Sequence, residues 1–305
     1  MTVHQQNEPL PAAPAIQIIK LPAGEGVWQR AVKRFRRHRL AIIGAAILII
    51  LIFLAVFAPV ISVYDPYEMS LPERNLPPST LHWLGTDGNG RDVWTRVIYG
   101  GQVSLSVGLV AVSISTIISI FVGGLSGFFG GRVDMILMRI TDMVMTFPLL
   151  VIVITLVAIT GPSIYNVMVA IGLLSWPGMA RLIRGQFLSL REMDYVLAAR
   201  SIGVGSGGLI VRHLLPNTVG TIAVAATFAV SEAILLEAAL SFLGLGVQVP
   251  TPSWGSMLRD AQTLSILETR PWMWLPPGIA IMLAVLSVNF IGDGLRDALD
   301  PRTIF

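Results

Sequence analysis

The sequence predicts an all-α polytopic membrane protein with six transmembrane helices, on three observations. Hydrophobic residues fill 54% of the 305 positions and charged residues only 13%, about half the charged share of an ordinary soluble domain. Several apolar runs reach the roughly 20 residues a helix needs to cross about 30 Å of hydrocarbon. One of them, residues 40–61, carries no charge at all. A soluble fold is set aside.

In chain order, residues 1–27 are rich in Pro, Ala and Gln and read as a flexible tail, which leads into a basic segment ending at Arg39. The first span covers 40–63. It begins after residue 39 and is longer than the 7–15 residue core of a secretory signal, so it is expected to be retained. A Pro-rich segment, 64–103, follows with five acids (Asp65, Glu68, Glu73, Asp87 and Asp92). The second span, 104–128, contains Gly108, Gly123, Gly124 and Gly127, which allow close helix packing. The third, 136–160, contains Pro148, which should kink it. The fourth, 164–180, is short and contains Pro177. A polar segment, 181–216, separates it from the fifth span, 217–243. A second loop holding Pro250, Pro252 and Trp254 precedes the sixth span, 273–292, and the chain ends with residues 293–305. Spans two to six form a five-helix core, 104–292.

Basic residues set the orientation. With the N-terminus inside, only Arg74, Arg91, Arg96, Arg259 and Arg270 fall in outer segments, and 16 of the 21 lysines and arginines fall inside. Both termini are therefore expected in the cytoplasm.

The inner segment 181–216 carries more than a connection needs. Asp194 is a candidate N-cap. Tyr195 to Ile202 complete two turns, and Gly203 suits the left-handed stop. Ala198, Ala199 and Gly203 offer little side chain, so a partner could approach closely. Tyr195 and Ile202 lie seven apart and share a face that could fill a groove. An alternative has this helix lying on the inner leaflet, with Arg184, Arg191 and Arg200 on lipid phosphates.

Ala198-Ala199, three residues, Gly203 and a segment closing on Leu215-Pro216 resemble the EAA loop of permease subunits in ABC-type importers. Leu197 stands where that loop usually has glutamate, and His213 where it has an aliphatic residue. Three further stretches are similar to the second permease of dipeptide and oligopeptide importers. They are His82-Trp83-Leu84-Gly85-Thr86-Asp87 with Gly90-Arg91-Asp92-Val93; Ala239-Leu240-Ser241-Phe242-Leu243-Gly244-Leu245-Gly246 with Pro252-Ser253-Trp254-Gly255; and Gly292-Asp293-Gly294-Leu295-Arg296-Asp297-Ala298-Leu299-Asp300-Pro301. Together they cover the chain from about residue 28. The resemblance implies a type I ABC importer permease fold in a bacterial or archaeal cytoplasmic membrane. It implies a second permease, two cytoplasmic ATPases, an extracytoplasmic substrate-binding protein and a peptide cargo as partners, with no nucleic acid. ATPase coupling is then expected at Asp194, Tyr195, Leu197, Ala198, Ala199, Gly203 and Pro216. The pattern is shared with carriers of nickel complexes, glutathione and antimicrobial peptides, and cargo choice lies largely with the binding protein.

The energy source is expected in another chain. A P-loop needs a lysine between glycine and Ser or Thr. Both lysines sit elsewhere, in Ile19-Lys20-Leu21 and Val32-Lys33-Arg34. ATP and magnesium therefore belong to the partner ATPases. With no cysteine and four scattered histidines (His4, His38, His82, His213), no metal or cofactor site is expected here. The translocation path candidates are the acids within spans, Asp142, Glu232 and Glu237. Asp142 follows Arg139 by three residues, which suggests an intrahelical pair. Glu232 and Glu237 are about 140° apart around a helix and cannot face one point. A proton-coupled secondary transporter is the rival, but it lacks an internal repeat and an intramembrane His or Lys partner. An intramembrane hydrolase lacks a span histidine.

Overall fold

The computed structural model describes residues 32–299; the 1–27 tail and the closing Asp300-Pro301 lie outside them. Among the described residues there is no strand, only an isolated bridge between Thr86 and Asp92. Helix α1 (Arg39–Val56) is capped by the His38 Nδ1, which accepts from the Ala41 N–H at 3.1 Å. Its apolar residues point outward, Ile49, Ile50, Phe53 and Val56 among them, while Ala41, Gly44 and Ala55 are buried. That is the pattern of a helix bathed in hydrocarbon and held by small residues.

Helix α2 (Val93–Phe129) has 37 residues, about 55 Å of helix, and begins eleven residues before the expected span. Hydropathy misses its first turns because they carry polar residues, among them Arg96 and Gln102, which other parts of the protein satisfy. Asp92 caps the helix by accepting from the Thr95 N–H at 2.7 Å, and takes His82 Nδ1 at 2.9 Å. Arg96 donates to the Pro66 carbonyl at 3.1 Å. Arg91 pairs with Asp87 at 2.7 Å and with Asp260 at 3.1 Å. The two long loops are thereby tied into one cap over this end of the bundle.

The expected third span is two helices, α3 (Gly131–Met145) and α4 (Leu149–Thr160), bent by 79° across Thr146-Phe147-Pro148. Pro148 does more than kink the element. It occupies the N-cap position of α4, whose twelve residues span only about 18 Å. Helices α5 (Ile164–Leu174) and α6 (Trp176–Leu190) together run well past residue 180. Pro177 sits in the first turn of α6, where its missing N–H has no intrahelical partner to lose.

After the short helix α7 (Asp194–Ser201), the chain turns at Gly203 and helical structure resumes at Ser206, joining α8 (Leu215–Phe242) through a π-helical stretch, Leu209–Leu214. The polar segment 181–216 thus contains the end of one long helix and the start of another, and only about residues 191–205 lie outside them. Helix α9 (Trp254–Asp260) starts with a Ser253/Ser256 capping box. Helix α10 (Leu275–Leu299) closes the fold and runs through Gly292 to Ala298.

The hub is α2, which packs on α1, α5, α6 and α8; α10 lies against both α1 and α8. Glycines set the closest crossings, as their positions suggested. A Cβ on Gly127 would lie 2.6 Å from the Phe187 Cβ and 2.7 Å from the Arg184 carbonyl on α6, and one on Gly123 would overlap the Ala180 carbonyl. At the α1–α10 crossing, a Cβ on Gly44 would lie 2.7 Å from the Ser287 carbonyl. Gly44→Leu is therefore expected to cost about 1–3 kcal/mol by overpacking, read as earlier thermal unfolding of the purified protein in detergent. Unchanged melting would show that the α1–α10 crossing is looser than described.

Candidate functional site

Helix α7 packs on the π-helical stretch Leu209–Leu214 and shares a buried cluster with Phe128 at the end of α2 and Phe187 on α6. Met193, still extended (φ −73°, ψ 144°), occupies its N-cap position, and Asp194 is the first helical residue with no capping bond from its side chain. The expected Asp194 cap is therefore corrected. The carboxylate retains only its favourable place beside the positive helix start. The stop at Gly203 has φ +89°. Its N–H donates to the Arg200 carbonyl at 3.0 Å, and the Val204 N–H donates to the Ala199 carbonyl at 3.1 Å.

Two faces follow. Val196 and Ala199 point inward, 0% and 7% exposed, into a cluster with Phe128, Phe187, Leu209 and Leu214. Met193, Tyr195, Leu197, Ala198 and Ile202 are exposed, Ile202 at 83%. Ala199 therefore packs the helix on its own protein, because inward Val196 puts the residue three places on inside as well. Tyr195 and Ile202 both face outward, as their spacing suggested. The Tyr195 ring rests 6.5 Å from the His213 ring. Pro216 is exposed in the first turn of α8, directly after the stretch on which α7 packs.

What holds this knob was not legible in the sequence. Asp134 on α3 takes a bidentate pair from Arg184 on α6, Nε to Oδ1 at 2.5 Å and Nη2 to Oδ2 at 2.6 Å, and also accepts from the Ser126 hydroxyl on α2. Arg191 donates to the Gly127 and Phe128 carbonyls at 3.1 and 3.4 Å, meeting the negative end of α2. Neither arginine is free for a lipid phosphate, while Arg200 stays exposed. The one available signal was the Gly130-Gly131 pair, with φ of +64° and +53°, whose sharp turn brings Asp134 back beside Ser126.

The three interior acids part ways. Asp142 pairs with Arg181 on α6 at 2.5 Å, not with Arg139, and both partners are about half exposed. Crossing helices supplied a nearer cation than the same helix did. Asp142→Asn is expected to change stability by less than about 1 kcal/mol and leave transport intact. A large loss of uptake would restore Asp142 to the path. Glu237 is 1% exposed and accepts from the Ser104 hydroxyl at 2.9 Å and the Ser241 hydroxyl at 2.7 Å. It joins α8 to α2 inside the protein. Glu232, on the other side of α8, is exposed in an apolar groove, so the two glutamates do face different places.

Among the described residues no group of His, Cys, Asp or Glu could hold a metal ion. Residues 115–305 match the family model described as the inner membrane component of binding-protein-dependent transport systems. Residues 26–78 match the N-terminal transmembrane domain of oligopeptide transport permease C. A Brucella suis protein is 47% identical over 92% of this chain and 93% of its own. A dipeptide transport system permease protein of Bacillus subtilis is 43% identical over 90% of this chain and 85% of its own. An oligopeptide transport system permease protein of Haemophilus influenzae is 40% identical over 92% and 90%.

Proposed function

The chain belongs to the inner membrane components of binding-protein-dependent transport systems, the permeases of ABC importers, and from that premise we propose that its cargo is dipeptides or oligopeptides. Supporting the cargo are relatives named for dipeptide and oligopeptide transport that align over nearly the whole chain. Membership in this family sets the proton-coupled alternative aside.

The observation that carries the mechanism is the outward apolar face of α7, mounted on a rigid seat. In this reading a cytoplasmic ATPase receives Tyr195, Leu197 and Ile202 in a groove, in the helix-in-groove manner. Ala198 and Gly203 permit close approach, and Asp194 and Pro216 edge the surface. The ATPases bind ATP and magnesium and supply the energy. When they close, α7 moves as a body with its seat. Arg191 passes the displacement to the end of α2, and the Asp134–Arg184 pair passes it to α3 and α6. Because α2 packs on α1, α5, α6 and α8, a shift of its end reaches the membrane core.

A second permease subunit completes the membrane domain, and an extracytoplasmic binding protein delivers peptide at the opposite end. The α7 end carries Arg132, Arg139, Arg181, Arg184, Arg191, Arg200 and Arg212, which supports a cytoplasmic position for it and for both termini. The test is reconstitution in proteoliposomes. Peptide uptake should require this chain, the second permease, both ATPases, the binding protein and ATP. Uptake by this chain alone, driven by a proton gradient, would overturn the proposal.

A further inference from the structure

The groove that exposes Glu232 is bounded by α2, α4, α5 and α8 and has a volume of about 390 Å³, within the range of small-ligand pockets. Its walls are apolar, with Val112, Leu149 and Ile171 among them; Ser115 and Ser175 supply hydroxyls, and Glu232 is the one charged residue that lines it. Among the described residues no cation or donor meets the Glu232 carboxylate. Elsewhere in this protein interior carboxylates are matched: Glu237 by two serines and Asp134 by Arg184 and Ser126. An unmatched carboxylate among apolar walls on a membrane-spanning helix is costly and is retained for what it binds.

The chemistry selects the ligand. A lone carboxylate with two hydroxyls and no basic neighbour attracts a cation and repels a carboxylate. The cation common to peptides with a free N-terminus is the α-ammonium group, a compact charge that takes several hydrogen bonds at once. We propose that Glu232 receives the peptide α-ammonium during passage, an assignment that rests on the peptide reading above. The peptide then travels with its N-terminus against α8, and its C-terminal carboxylate is kept away from this wall.

The experiment uses the complete assembly in proteoliposomes, with loaded binding protein, ATP and an unblocked peptide. Glu232→Gln keeps the shape and removes the charge; Glu232→Asp keeps the charge. The expected result is an uptake loss of about tenfold or more in the glutamine variant. The aspartate variant should recover much of it, and both assemblies should retain the second permease and the ATPase activity stimulated by the binding protein. Uptake by Glu232→Gln within about twofold of the unmodified assembly would overturn the proposal. So would loss of the second permease from the purified variant, which would make Glu232 an intersubunit contact. Absence of any peptide uptake by the unmodified assembly would instead overturn the peptide reading, and this assignment with it.

Discussion

Gly203→Arg is expected to abolish ATP-driven uptake while the chain still inserts and still pairs with its membrane partner. Two effects act together. Gly203 sits at φ +89°, where a residue with a side chain costs roughly 1–2 kcal/mol. The backbone will relieve that cost by releasing the Gly203 and Val204 hydrogen bonds that close the last turn of α7. Among the described residues, apart from its chain neighbours, none lies within 4 Å of a Cβ at this position, so the long cation does not disturb the bundle. It projects instead beside Ile202, from the face proposed to enter the ATPase. Gly203→Ala separates the two effects, since alanine carries the same backbone strain without the bulk. It should keep a substantial part of the uptake. The readouts are co-purification of the ATPases with the membrane subunits, and uptake per ATP hydrolysed. Normal uptake by Gly203→Arg would show that this face docks nothing.

The contrast between α7 and its seat explains what the sequence could and could not convey. The start, length and stop of α7 are local properties. A two-turn helix stopped by a left-handed Gly203 was legible from residue types alone, though its cap was expected at Asp194 and lies at Met193; the shared outward face of Tyr195 and Ile202 was legible too. The inward turn of Ala199 was not, because alanine signals neither face and its direction follows from Val196 finding a pocket made by Phe187, Leu209 and Leu214. Span boundaries failed for a related reason. Hydropathy measures the apolar middle of a helix, whereas α2 opens with Trp94, Thr95 and Arg96, and α8 is preceded by helical Arg212 and His213. Arg96 is held there by the Pro66 carbonyl and by Asp87, partners that a hydropathy window does not weigh. Asp142 shows the same limit, having one arginine three residues away and another, which it actually meets, 39 away.

The Asp134–Arg184 pair should be the most costly contact to break around the knob. Two parallel charge-assisted hydrogen bonds join α3 to α6, and Ser126 adds α2 to the junction. Hydrogen bonds to charged groups contribute about 1.5–3 kcal/mol each. Arg184 keeps a third of its side chain exposed, and solvent screening places the loss toward the lower end. Arg184→Ala leaves Asp134 with only the serine, and Asp134→Ala leaves the arginine unpaired, so each single variant should unfold earlier in detergent. The functional consequence should exceed the loss of stability. With the pair gone, α3 and α6 no longer move as a unit beneath α7, and ATP hydrolysis in the assembled complex should continue with little uptake. The exchange Asp134→Arg with Arg184→Asp tests whether the pairing itself matters. Partial recovery in the double variant, measured as a coupling energy between the two sites, is the expected outcome. Strictly additive losses would mean that the two side chains act separately, and that the motion of α7 reaches the membrane core through Arg191 and the end of α2 alone.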